Sequence, residues 1–241
     1  MQTLERPTRG ALSVLQTPRI RRFVETAQQG NPGTPLLICG EPGVGKDVLA
    51  RLVHAASPRQ AYPFIKVNCR DQALQRCGAD LFGHERGADP LELRRRLGSF
   101  ELANHGTIYL DEIGALPRNL VAALVQALRT GEVSRAGGRE ATRVDVRVIA
   151  SAVAPGDRDD RDDLWRELRR LDVTEIRIPP LRQRSDEIPD FASFFAERFG
   201  RQHHRDVRLC PEAIAALCAR EWRGNVRELE EAVHELARGR G

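Results

Sequence analysis

The chain has 241 residues, 41% of them apolar and 30% charged, which supplies a real core and excludes a disordered polymer. Its 38 Lys and Arg exceed its 34 Asp and Glu only slightly, for a net charge of +4, so the charge is weak evidence for a nucleic-acid partner. Aromatics at 5% argue against a stacking platform for single strands. The five cysteines, Cys39, Cys69, Cys77, Cys210 and Cys218, form no Cys-x-x-Cys pair and read as small buried apolar residues in a reducing compartment. With no signal peptide and no apolar run long enough for a bilayer, the cytoplasm is the expected location.

After a polar, irregular start, the pattern predicts a helix from Pro18 to Gln29, broken by Gly30-Asn31-Pro32-Gly33. Leu36 to Cys39 reads as a short buried strand. It feeds Gly40-Glu41-Pro42-Gly43-Val44-Gly45-Lys46-Asp47, which has the G-x-x-x-x-G-K spacing of a phosphate-binding loop. A helix follows over 47–55, with Val48, Leu49, Leu52 and Val53 on one side. In that context glycines let successive N–H groups face one anion, the helix N-terminus adds its positive end, and Lys46 supplies a mobile charge for the outer phosphates. Asp47 holds the Ser/Thr slot of the motif. Its carboxylate can reach a magnesium ion directly or through water, although it also sits near phosphate charge. The plain alternative is a Gly/Pro-rich turn capped by Asp47.

Residues 63–69 predict a second strand. The stretch 83–100 is charged and runs into a helix rich in Arg94, Arg95 and Arg96. Residues 107–110 predict a third strand that ends on Asp111-Glu112, at the strand end where α/β sheets bind ligands. Asp111 would hold magnesium through water, and Glu112 would orient or deprotonate an attacking water. The plain alternative is that both acids only start a helix near Ile113. A helix over 119–130 stops at Gly131. Strands are expected over 144–150 and 175–178, with a charged run over 157–170 between them. Strands alternating with helices predict an α/β fold with a mostly parallel sheet covered on both faces. Beyond Pro179-Pro180 everything reads as helix: 187–199, 211–220 and 225–237. The expected organisation is an α/β domain over 14–179 and a small all-α domain over 180–241. His203 and His204 near Cys210 match no standard metal spacing and read as loop histidines.

Several segments together resemble the central AAA+ ATPase domain of the sigma-54-dependent transcriptional activators, the bacterial enhancer-binding proteins. They are the phosphate loop, Val67-Asn68-Cys69, Leu81-Phe82-Gly83-His84-Glu85-Arg86-Gly87-Ala88, Leu110-Asp111-Glu112-Ile113-Gly114, residues 144–150, Pro179-Pro180-Leu181-Arg182-Gln183-Arg184, and Trp222-Arg223-Gly224-Asn225-Val226-Arg227-Glu228-Leu229. Their order and spacing carry the likeness, which covers roughly 17–237. The resemblance implies a P-loop NTPase sheet with an α-helical lid, ATP and Mg2+ as cofactors, and a hexamer-like homo-oligomeric ring. An RNA polymerase sigma factor or another transcription regulator is the implied partner, with no membrane involved.

By the resemblance, Gly40, Glu41, Gly43, Val44, Gly45, Lys46, Asp47 and Val48 surround the nucleotide. Asp111 and Asp47 are its metal residues. Glu112 is catalytic, and Asn68 matches the asparagine that holds that glutamate in check. Arg227 matches the second-sensor arginine of the lid. Arginine fingers, given in trans, fall in the run before Leu171: Arg170 by its distance from Pro179-Pro180, Arg166 as the first finger, Arg161 as a fallback. A solvated charged helix is the alternative for that run.

The departures from the family are specific. Where the family has Gly-Ala-Phe-Thr-Gly-Ala, this chain has Gly87-Ala88-Asp89-Pro90-Leu91-Glu92, so proline stiffens the tip and an acid replaces the apolar contact. The first-sensor stretch reads Ser151-Ala152-Val153, and valine cannot hydrogen-bond a phosphate. These two departures motivate a second reading, a nucleotide-sensing scaffold that binds ATP without remodelling sigma-54. About 35 residues precede the phosphate loop, too few for a receiver domain, and no helix-turn-helix domain follows the lid. A fragment, or a protein acting through partners, is the expectation.

Overall fold

A computed structural model describes residues 17–29, 31, 33–71, 79–85, 96–138, 140–153, 164, 167–168 and 170–239. In chain order its elements are α1 (Pro18–Gln28), β1 (Leu36–Cys39), α2 (Lys46–Ala55), β2 (Phe64–Asn68), α3 (Ala79–Phe82), β3 (Gly83–His84), β4 (Arg96–Leu97), α4 (Ser99–Leu102) and β5 (Thr107–Asp111). Then come α5 (Arg118–Thr130), β6 (Glu132–Ser134), β7 (Ala141–Arg143), β8 (Arg147–Ala152), β9 (Thr174–Arg177), α6 (Ile188–Gln202), α7 (Pro211–Cys218) and α8 (Asn225–Ala237). These elements form two compact units, one of residues 24–39 and 47–176, the other of residues 17–23, 40–46 and 177–239.

The first unit is built on the five strands expected from sequence, in the order β2-β5-β8-β1-β9. β2 with β5, β5 with β8 and β1 with β8 are parallel. Parallel strands buried on both faces need continuous apolar runs, and β1 is buried at all four positions. One face places Leu37, Cys39, Ile108, Leu110, Val148 and Ala150 in a common core with Leu120, Val121, Leu124 and Val125 of α5. That helix ends where Gly131 turns left-handed, φ +68°, and returns its N–H to Ala127 O at 3.0 Å.

Three sequence expectations are corrected here. The fourth strand starts at Arg147 rather than Val144, because the preceding backbone is engaged elsewhere. Val144 N–H goes to Gly131 O at 2.7 Å, and Asp145 N–H to Asn104 Oδ1 at 2.9 Å. The strand runs on to Ala152, since Ser151 and Ala152 pair with Ile38 and Cys39. Arg96 lies in β4, not in a helix, paired antiparallel with His84 of β3. Gly83, at φ +84°, lets that backbone close, as a Cβ there would lie 2.8 Å from Arg96 O. Arg94 and Arg95 lie outside the described residues. Cys39 and Cys69 are buried, but Cys210 is exposed and Cys218 partly so, because they sit at the two ends of the surface helix α7. The β6–β7 hairpin is an addition that polar residues hide from a periodicity reading.

The second unit packs α6, α7 and α8 around Phe191, Phe194, Phe195, Leu217, Trp222, Leu229 and Val233. Trp222 is fully buried, and its indole N–H donates to Leu217 O at 2.9 Å. Among the described residues no helix is long and apolar enough to cross a membrane.

Candidate nucleotide site

The phosphate loop belongs to the unit that also contains the lid helices. Gly43 and Gly45 take φ +78° and +101°, the positive values that let a loop turn its amides toward one anion. Lys46 is 8% exposed, and its ammonium donates to Gly40 O at 2.8 Å and Glu41 O at 3.0 Å. The loop is fixed from behind by lid residues. Gly43 O accepts from Arg227 N–H at 3.3 Å, and a Cβ on Gly43 would lie 2.2 Å from Gly224 O. The Arg227 side chain itself is exposed.

An acid inside a phosphate loop needs compensation, and Glu41 has it. Arg182 grips it bidentately at 2.6 and 2.9 Å, and Asn225 Nδ2 donates to it at 3.1 Å. The bonds from Arg182, then Asn225, hold its carboxyl below the ordinary glutamate value against a small burial penalty. Asn225 is fully buried in the left-handed region, φ +58°, and accepts the Leu181 N–H at 2.8 Å while donating to Pro42 O at 3.0 Å. Arg184, almost wholly buried, donates to Val44 O at 2.8 Å and pairs with Glu187 at 3.1 Å. Burial pushes its guanidinium down and Glu187 opposes that. Holding the Val44 carbonyl this way turns the Gly45 N–H to the opposite side of the trans peptide.

The carboxylates belong to the other unit. Asp111 ends β5 in register with Asn68 of β2. Ser151 Oγ donates to its Oδ1 at 2.7 Å, Tyr109 Oη to the same oxygen at 3.0 Å, and Lys66 Nζ pairs with its Oδ2 at 3.1 Å. Burial raises the Asp111 carboxyl, but Ser151, then Lys66 and Tyr109, together outweigh it and hold it below its usual range. Burial and then Asp111 push the Tyr109 phenol far up, so it stays a donor. The Cys69 thiol, pushed up to about 12 by burial, Asp111 and Glu112, is no nucleophile. Lys66 also reaches Asp47 Oδ2 at 3.4 Å. The two residues expected to serve a metal thus already converge on one cation. Among the described residues no third His, Cys, Asp or Glu joins them. Two hard oxygen donors fit magnesium, which keeps waters and substrate phosphates as its other ligands.

Glu112 follows in the left-handed region, φ 58°, with its N–H on Ser151 Oγ at 3.0 Å. Its carboxylate forms an ion pair with Arg70. Asn68 Oδ1 accepts the Arg70 N–H at 3.0 Å, and among the described residues no hydrogen bond joins Asn68 to Glu112.

Two family models divide the sequence between them: residues 14–177 match the sigma-54 interaction domain and 182–238 the AAA+ ATPase lid domain. The chain belongs to the sigma-54 interaction domain family. This module is 38% identical over 243 residues to a Nif-specific regulatory protein of Sinorhizobium fredii, covering 98% of this chain and 40% of the relative. It is 39% identical to the Nif-specific regulatory protein of Azotobacter vinelandii, covering 92% of this chain and 43% of the relative. The crystal structure of NtrX from Brucella abortus in complex with ATP superposes with a TM-score of 0.76 at 29% identity, covering 98% of this chain and 53% of that one. The chain spans about two fifths of the length of these curated relatives.

Within this sigma-54 interaction module, Arg170 is exposed and bonded to Glu167 at 2.6 Å, while Glu167 also takes Arg129 at 3.0 Å. Arg166, Arg161 and the loop 87–92 lie outside the described residues. Val153 is 43% exposed just past β8. The His203 ring stacks on Phe199 at 4.0 Å. Sequence reasoning missed Lys66, Arg70, Ser151, Arg182, Arg184 and Asn225 as site residues. The last three lie in motifs that carry the family resemblance, which was the available signal.

Proposed function

We propose that this chain is an ATP-binding AAA+ ATPase of the sigma-54 activator type, acting in transcription regulation through ring assembly and ATP-driven contact with an RNA polymerase sigma factor or another transcription regulator, in the cytoplasm. The nucleotide-binding domain spans 14–179 and the lid 180–241. The observation that carries the reading is the buried Lys46 held on Gly40 and Glu41 carbonyls, within a glycine loop whose acid is ion-paired with Arg182 and hydrogen-bonded by Asn225. Gly40, Glu41, Gly43, Val44, Gly45, Lys46, Asp47 and Val48 receive the nucleotide, and Arg227 reads it from the lid. In that complex Lys46 leaves the two carbonyls for phosphate oxygens. Glu112 aims the attacking water, Asn68 restrains Glu112, and Arg170 with Arg166 comes from a neighbouring subunit. Asp111 and Asp47 would hold magnesium, which supplies positive charge against the terminal phosphates. Nucleotide bound by the NtrX relative supports ATP as the ligand.

The test is ATP binding and turnover of the purified chain across a protein concentration series, with Lys46→Ala and Glu112→Gln alongside. Turnover per subunit that climbs with concentration and is lost in both variants supports the reading. Binding of nucleotide unchanged by Lys46→Ala overturns it. One observation favours the second reading: the exposed side chain of Val153 is a hydrocarbon, with no polar atom to meet a phosphate where the family senses one. Tight binding with no turnover at any concentration would select that scaffold.

A further inference from the structure

Beyond the roles already given, the geometry points to Arg70 as a positioning residue that brakes turnover by holding the Glu112 carboxylate in an ion pair, with Asn68 restraining Glu112 through its hold on Arg70. This rests on the reading of Glu112 as the water-directing group.

The backbone brings the two residues near one another. β2 and β5 are parallel neighbours in register up to Asn68 and Asp111, and the ladder closes with Cys69 N–H on Asp111 O at 2.9 Å. Neighbouring strands lie about 4.8 Å apart, so the residues leaving the two ends come out side by side. Glu112 is the first residue past β5, and Arg70 is the second past β2, after Cys69. Each is fixed at its main chain: Arg70 by its N–H on Asn68 Oδ1 at 3.0 Å, Glu112 by its N–H on Ser151 Oγ at 3.0 Å. With both stems held, the guanidinium lies on the carboxylate. A carboxylate with an oxygen committed to a guanidinium is a poor acceptor for a water proton, and the ion pair must open before Glu112 can serve. Arg70 is 66% exposed and Glu112 29% at their side chains, so the pair is weak enough to open. Its size is that of an exposed ion pair, which as a brake corresponds to about a two- to five-fold effect on rate.

The test is steady-state ATP hydrolysis by the full chain at saturating protein, comparing wild type, Arg70→Ala, Arg70→Lys and Asn68→Ala/Arg70→Ala, with Glu112→Gln as the turnover control. Arg70→Ala is expected to raise kcat about two- to five-fold with KM for ATP unchanged. Salt should accelerate the wild type and Arg70→Lys but not Arg70→Ala, since screening opens only a charged pair. Asn68→Ala should add nothing in the Arg70→Ala background. An unchanged or lower kcat in Arg70→Ala, or a salt response identical to wild type, overturns the brake while leaving Glu112 catalytic. A further rise on adding Asn68→Ala overturns the anchoring role and returns Asn68 to direct action on Glu112. If neither the wild type nor Arg70→Ala turns over ATP, the catalytic reading itself fails and the brake falls with it.

Discussion

Glu112 pairs a functional side chain with an unfavourable backbone. A side chain at φ 58° costs about 1–2 kcal/mol that glycine does not pay, the kind of strain that collects at active sites. Glu112→Gly should therefore be more stable than Glu112→Ala by about 1 kcal/mol, the reverse of their order in a helix, with both inactive; paired urea denaturation curves check this. Asp111 sets an acid limit. Its folded pKa lies below its ordinary 3.8, so its contribution to stability is full above that value and fades as pH falls through the lower folded pKa. Ser151→Ala removes the strongest of the hydrogen bonds that depress it. We expect a loss of about 1–2 kcal/mol at pH 7 that shrinks once Asp111 is protonated, measured as denaturation midpoints at pH 7 and in strong acid.

At the scale of elements, the phosphate loop is shaped as much by the lid sequence as by its own glycines. Gly43 and Gly45 look alike in the motif but stand differently. A Cβ on Gly43 would strike Gly224 O, whereas one on Gly45 meets nothing within 4 Å. Gly45→Ala should cost only its positive φ, about 1–2 kcal/mol. Gly43→Ala should cost clearly more, because the Gly224 carbonyl cannot move without disturbing the start of α8. Thermal unfolding of the two variants should show this order, and the larger loss of nucleotide affinity should accompany Gly43→Ala. Equal costs would mean that the loop and residues 224–227 are not in this contact.

For the whole molecule, the proposed active unit is an assembly, because Arg170 is assigned to a neighbour's nucleotide. Arg170→Ala should lower kcat on the order of 10³-fold while leaving nucleotide affinity intact, and Lys46→Ala should abolish binding. Neither variant should turn over alone. Mixing them should restore turnover that rises with total protein, since some interfaces then combine an intact loop with an intact finger. No recovery on mixing would place Arg170 in the intrachain pair with Glu167 rather than in catalysis.

The sequence by itself determined the five sheet strands, the glycine loop with Lys46, the paired acids after β5 and the helical end of the chain. Those signals are local: apolar runs, glycine spacing and capping residues act within a few positions. Only the tertiary structure decided what each charge faces. Ser151 meets Asp111 across 40 positions of sequence, and Asn225 meets Glu41 across 184. Lys66 lies between Asp47 of α2 and Asp111, and Arg70 on Glu112, because helix packing and strand pairing bring these segments together. Register is a property of the folded sheet, and no spacing along one chain segment encodes which side chain the neighbouring strand will present.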